Sequence, residues 1–506
     1  MKTLSYQTLQ ELSYDGYLLK DAPERILQFG EGNFLRAFVD DFIDRMNEHA
    51  NFQSKVVVCQ PGSPNPAGAD RINAQEGLYT LLLRGQEDGA PVQKKRIISC
   101  ISRCLNLYRD FDEFLACAKN PDLRFITCNT TEAGIVYDPA CQLADRPAAS
   151  YPGKLTQFLY RRFQELGSTP GKGFIILACE LIDDNGLELE RCILRYAEQW
   201  KLGSAFTDWL KQENLFCSTL VDRIVTGYPR SEADSLCDSF GYRDNLIDTG
   251  EPFAIWVIEG PQWLKQELPF EQAGLPVLLC NDHHPYKQRK VRILNGAHTS
   301  MVPGAYLAGL DIVRDCMHDP TVSRFLDKTI YDEILPTLTL PRQELLDFAA
   351  SVKERFANPF IDHALLSICL NCTSKWRARV LPSLKAYVQQ NSALPPCLTA
   401  SFAFYLAFYY GGKLTPDGLL CERPAGAKAS APDTPSTYLI KDDQAVLDFF
   451  DAHSADDAAV LVHCICTTTA FWDEDLTTIP GFEKEVTRLL TFLLPNGTRA
   501  AMEMLL

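Results

Sequence analysis

No stretch of this 506-residue chain is apolar for long enough to cross a bilayer. The longest such run, around Phe402 to Tyr410, falls well short of the roughly 20 residues a spanning helix needs. The leading segment MKTLSYQTLQELSYDG lacks the apolar core of a secretory signal, so no export is expected. Excess positive charge is missing too: 49 Lys and Arg face 65 Asp and Glu, a net charge of −16. Neither nucleic acid nor an anionic membrane surface would attract such a chain, which excludes both as main partners. Any acidic substrate must then be met by a local cationic pocket. Cysteine is plentiful, at 18, but zinc-type pairing is absent. Cys369 and Cys372 form CxxC and Cys464 and Cys466 form CxC, with no second pair or histidine at finger spacing. Many cysteines lie inside apolar runs, as Cys59, Cys128 and Cys179 do, which fits buried free thiols in a reducing cytoplasm. No internal repeat stands out.

At this length one compact core is not enough, and two large domains are expected. The hydrophobic share of 46% and charged share of 23% are those of an ordinary globular protein. Arg25–Phe29 reads as a short strand running into Gly30-Glu31-Gly32-Asn33-Phe34-Leu35-Arg36. Phe34, Phe38, Phe42 and Met46 then recur every four residues, a helical pattern. Strand, glycine turn and helix together form the context of a dinucleotide fingerprint, in which glycines admit a pyrophosphate close to the backbone. The third glycine of that fingerprint is missing and Leu35 stands in its place. A β-branched strand, Lys55–Gln60, follows at βαβ distance. It ends on Gln60 rather than the acid that usually reads the adenosine ribose. No arginine follows at once to hold a 2′-phosphate, and Arg71 is well beyond the turn. Local chemistry therefore leaves NAD against NADP open.

Further strands are expected at Arg96–Ser99, Leu123–Thr127 and Gly173–Ala178, each followed by a polar turn or a helical spacer. Such punctuation argues for a doubly wound α/β domain. Asp222 and Arg223 sit in an apolar frame, where adjacent opposite charges most often form a local ion pair. From about residue 286 the pattern turns to long helices, interrupted by a Pro/Ala/Gly-rich loop over about 414–436. The expected architecture is a Rossmann-type domain over 1–285 and a mostly helical, all-α domain over 286–506.

The segment KVRILNGAHT carries Lys290, Asn295 and His298 among apolar residues. On an α-helix these positions fall at roughly 0°, 140° and 80°, so one broad face holds all three. A surface helix with one buried amide would show the same pattern.

Taken together, GEGNFLRAF, NTTEAGI, YPGKLT, STLVDRI, NDHHPY, KVRILNGAHT and RFANP make the chain resemble the polyol-specific long-chain dehydrogenase family, that of mannitol 2-dehydrogenase. The likeness covers almost the whole chain in consistent order. It implies an NAD(H)-dependent, metal-free secondary-alcohol dehydrogenase, with the active site in a cleft between the two domains. It also implies a small sugar acid as substrate; the chain itself leaves monomer or dimer open. Lys290 matches the family's acid/base lysine, and Asn295 and His298 match its partners. Gly30, Gly32, Asn33 and Phe34 match the cofactor turn, and Thr130 and Glu132 fall in the loop expected near the nicotinamide. Asp222 and Arg355 are the expected substrate contacts, Arg355 for a carboxylate, with Lys375, Arg377 and Arg379 as further cations for it. One departure is visible. Where the family pattern has a second asparagine after a Cys-acid pair, Cys179-Glu180 is followed here by Leu181. A fructuronate, neutral ketose or sugar phosphate substrate, and a nucleotide-binding protein without chemistry, are the alternatives.

Overall fold

A computed structural model of the chain describes residues 1–87, 89–131, 133–423 and 437–506. It divides into two compact units, Met1–Gly85 with Val92–His283, and Gln86–Pro91 with His284–Leu506.

Along the first part of the chain run β1 (Glu24–Phe29), β2 (Lys55–Gln60), β3 (Tyr79–Glu87), β4 (Ala90–Ile98), β5 (Ile101–Asn106), β6 (Phe125–Cys128), β7 (Ile175–Ala178), β8 (Leu215–Asp222), β9 (Asp248–Gly250), β10 (Ile255–Glu259) and β11 (Val277–Cys280). Eight of these form one sheet in the order β11-β10-β8-β7-β6-β1-β2-β5. The pairs from β5 through β8 are parallel, and only β8–β10 is antiparallel. The strand order reverses at β1 and β6, the point where an open α/β sheet opens a crevice at its C-terminal edge. Side chains alternate faces along the central strands. Ile26, Val56, Val58, Phe125 and Ile175 enter one core, while Leu27, Phe29, Val57, Cys59, Ile126 and Ile176 enter the other. Both faces are thus covered, which is why these strands read as continuous apolar runs.

The helix expected from Phe34 to Met46 is two helices, α1 (Asn33–Ala37) and α2 (Val39–Ala50), parted at Phe38, whose φ of −127° and ψ of −72° are not helical. The four-residue spacing still served its purpose. Phe38, Phe42 and Met46 lie in one core and Phe34 packs against it. Next come α3 (Ala67–Ala74), α4 (Tyr151–Leu166) and α5 (Asn185–Gln199). The expected strand at Arg96–Ser99 belongs to β4, in a separate three-stranded sheet β4-β3-β9. The neighbour of β2 is instead β5, at the sheet edge, where half-exposed Ser102 and Arg103 interrupt the apolar signal.

The second unit is mostly helical. A π-helical turn over Lys290–Asn295 leads directly into α6 (Gly296–Leu307), followed by α7 (Arg342–Phe356), α8 (Cys372–Arg379), α9 (Pro396–Tyr409) and, at the end of the chain, α10 (Phe482–Leu505). All twelve residues of α6 are buried, as are nearly all of α9, so these two are central helices buried all round. The run Phe402–Tyr410 is therefore core. The loop expected over about 414–436 begins as a hairpin instead, β12 (Lys413–Thr415) with β13 (Gly418–Glu422), and β13 pairs with β14 (Thr437–Ile440). Its remainder, 424–436, lies outside the described residues. All eighteen cysteines are free, and all but Cys280 and Cys464 are buried.

Candidate functional site

In the first unit, the crevice at the switch point is shaped by Gly30. Its φ of +124° suits glycine, and a Cβ there would lie 2.9 Å from Leu35 Cδ1 and 3.3 Å from the Asn129 carbonyl oxygen. The leucine at the missing third-glycine position is buried against this turn, so Gly30 carries the close approach by itself. Gly32 faces open space, with nothing within 4 Å of a would-be Cβ. A cavity of about 450 Å³ spans the turn and the neighbouring strand ends, lined among others by Gly30, Gly32, Gly62, Thr130, Ser150 and Lys154. A phosphate-bearing dinucleotide fits such a cradle, because backbone and small residues leave room where side chains would fill it.

Thr130 is held in place from below. Its N–H and hydroxyl both donate to Glu180 Oε1, at 2.9 and 3.0 Å. Glu180 is buried, which pushes its carboxyl above the usual range while the Thr130 donors pull the other way. Leu181, at the position where a second amide was expected, is 59% exposed. The nearby Asn185 donates its amide to the backbone carbonyls of Glu180 and Thr219, at 2.8 and 2.9 Å. Asn33 accepts from Arg36 Nη2 at 2.6 Å and lines an adjoining cavity of about 340 Å³ with Glu31, Gln60 and Arg71. Arg71, distant from the turn in sequence, is thus brought beside Gln60 by α3. Phe34 stacks on Phe38 with ring centroids 5.2 Å apart. Asp222 ends β8, buried, and Arg223 pairs with Asp41 of α2 at 2.9 Å rather than stapling its own loop. Glu132 lies outside the described residues.

In the second unit, Lys290 and Asn295 begin and end the π-helical turn and His298 follows in the first turn of α6. The α-helical angles expected for this segment do not apply across the turn. A π-turn bonds i to i+5, so residues five apart stack much closer to one face than the roughly 140° an α-helix would give. Asn295 is half-buried and its Oδ1 has no hydrogen-bond partner among the described residues. His298 is 8% exposed, stacks on Phe356 at 3.9 Å with an interplanar angle of 11°, and meets His363 edge-on at 5.6 Å. Its Nε2 is buried without a partner among the described residues. Burial lowers its pKa well below the ordinary 6.5, and the neighbouring His363, Arg355, Arg379 and Lys375 lower it further. The imidazole is therefore neutral at neutral pH.

Three of the four cations expected for a carboxylate are among those neighbours. Arg355 is buried in the last turn of α7. Arg379 ends α8, and its approach depends on Gly296, whose would-be Cβ lies 3.1 Å from the Arg379 carbonyl oxygen. Lys375 Nζ donates to the Ile368 carbonyl at 2.9 Å. Arg377, the other expected cation, faces the opposite way along α8 and pairs with exposed Asp473 at 2.9 Å. His363 was not anticipated, although it follows RFANP closely in sequence.

Two family models match the chain, the mannitol dehydrogenase Rossmann domain over residues 24–272 and the mannitol dehydrogenase C-terminal domain over residues 282–447. The chain belongs to the mannitol dehydrogenase family. Within that family it is 45% identical over 503 residues to the altronate oxidoreductase of Yersinia enterocolitica, covering 98% of this chain and 99% of the relative. The altronate oxidoreductase of Escherichia coli O7:K1 is 44% identical over 509 residues, with 99% of each chain covered. Among solved structures, D-sorbitol dehydrogenase in substrate-free form superposes with a TM-score of 0.78 at 22% identity, over 99% of this chain and 100% of that one. Pseudomonas fluorescens mannitol 2-dehydrogenase, in a ternary complex with NAD and D-mannitol, gives 0.68 at 22% identity, over 100% and 99%. These likenesses establish the mannitol dehydrogenase fold for both units.

Proposed function

We propose that this chain is an NAD-dependent oxidoreductase interconverting tagaturonate and altronate, with Lys290 as general acid and base. The name shared by relatives identical at 44–45% over nearly the full length supports the substrate class. The observation that carries it is the gathering of Arg355, Lys375 and Arg379 around neutral, buried His298 in a chain of net charge −16. Cations converging on a polar site suit a substrate with a carboxylate, which a guanidinium grips through paired N–H bonds.

The bound dinucleotide supplies the hydride. The chain must then hold the substrate and protonate the developing alkoxide. Asn295 does not titrate, and His298 is neutral, so neither has an acidic proton to give at neutral pH. Of the three, Lys290 remains and takes the role of proton donor. Asn295 and His298 hydrogen-bond the reacting oxygen and a neighbouring hydroxyl, and Arg355 with Lys375 and Arg379 holds the carboxylate. In this reading the acid is a lysine rather than a metal-bound water. A cytoplasmic location accompanies it, supported by eighteen free thiols.

Lys290→Ala tests the assignment. Loss of a general acid lowers turnover of tagaturonate by about 10²–10⁴-fold. NADH affinity, read by fluorescence titration, stays near that of the parent chain. Normal turnover with weakened NADH binding would refute the role.

A further inference from the structure

The cofactor groove of the first unit contains a charge that the functions assigned above leave unexplained. Lys154, in the YPGKLT segment, lies in the first turn of α4 and is 1% exposed. Its Nζ donates to the Ala149 carbonyl at 2.6 Å and sits 5.3 Å from the centroid of the Tyr108 ring. Among the described residues it forms no ion pair. Among the described residues, the other charged side chains lining the same cavity are Glu31 and Asp138. Asp138 instead accepts from the Ala140 N–H at 2.9 Å and the Cys141 thiol at 3.7 Å. A buried ammonium with one carbonyl and one ring for company is costly, and burial pulls its pKa down from 10.5 to about 8.

Buried charges are retained where an opposite charge meets them. The cavity holding Lys154 also holds the glycine turn, Gly30 and Gly32, and the strand-end loop with Thr130. A nicotinamide dinucleotide, NADH, has formal negative charge only on its diphosphate. We propose that Lys154 is the counter-ion of the cofactor diphosphate, completing from α4 a cradle that the glycine turn begins from β1. This rests on the NAD reading above. The buried ammonium thereby makes the groove selective for ligands that contain a diphosphate over those that contain only a base and a sugar.

The test is a binding titration of the full chain and of Lys154→Gln and Lys154→Met with NADH, ADP-ribose and adenosine, with thermal melting run alongside. Loss of one charge-assisted contact raises Kd for NADH and for ADP-ribose alike by about 10- to 100-fold. Adenosine affinity and the melting temperature remain as in the parent. Equal NADH affinity in parent and variants would overturn the proposal and leave the NAD reading intact. An equal loss for adenosine would overturn it as well, since Lys154 would then serve the base or sugar. If both variants fail to fold, Lys154 is a structural residue and the proposal falls. Failure of the parent chain to bind NADH would instead remove the NAD reading on which it rests.

Discussion

His298 shows how burial decides a residue's chemistry. In water its imidazole would be half charged near pH 6.5, but stacked on Phe356 and surrounded by cations it stays neutral. That neutrality supports the proposal of Lys290 as the proton donor. Asn295 has a different part, as a fixed amide whose carbonyl oxygen already lacks a partner among the described residues. In the proposed reaction its N–H would donate to the reacting oxygen, most strongly as negative charge develops there. Asn295→Ala is expected to lower kcat by about 10²–10³-fold, the effect of removing one oxyanion donor. Steady-state kinetics with tagaturonate checks this, and a variant that changed only KM would show a ground-state contact instead.

At the scale of elements, the π-helical turn sets the geometry of the proposed site at 290–298. A π-turn sets residues five apart, such as Lys290 and Asn295, closer to one face than an α-helix does, and Gly296 follows it where α8 passes close. Adding a methyl at 296 presses on the Arg379 carbonyl. Gly296→Ala is therefore expected to destabilise the second unit by about 1–3 kcal/mol, as overpacking does. It should also raise KM for a sugar acid more than for a neutral ketose, because it displaces a cation. Denaturant unfolding and the two KM values measure both effects. Much of this was legible beforehand. The glycine turn, β1 and β2 follow from residue types and periods that local physics fixes, whereas the Lys-Asn-His motif stood out as a site only through the family resemblance. What was not legible has identifiable causes. β5 is an edge strand with Ser102 and Arg103 half-exposed, so its apolar period is interrupted. Arg377 and Arg379 look equivalent in sequence, and only the helix phase sends one to Asp473 and the other toward Gly296. His363 has no periodic signal at all, since it lies outside the helices.

For the whole molecule, the acidic surface coexists with carboxylates buried in the first unit. Asp40 is fully buried, accepts from Gln28 Nε2 at 3.3 Å and Tyr79 OH at 3.5 Å, and has its pKa pushed up to about 7 by burial. In the unfolded chain this carboxyl ionises near its ordinary value of about 3.9. As pH rises the unfolded state releases the proton first, so Asp40 costs stability progressively between about pH 4 and pH 7 and by a constant amount above. Asp40→Asn removes that dependence. Its melting temperature relative to the parent is expected to rise from pH 5 to pH 8, whereas a difference independent of pH would contradict the cause given.

The central claim is that a mannitol dehydrogenase fold has here been furnished with cations for a sugar acid. The direct measurement is NADH oxidation with tagaturonate and with fructose under the same conditions. A carboxylate held by cations of which Arg355 is buried is worth about 2–5 kcal/mol over an unmatched site, so kcat/KM for tagaturonate should exceed that for fructose by at least about 30-fold. Equal or better use of fructose, or no NADH oxidation with tagaturonate, would contradict the account.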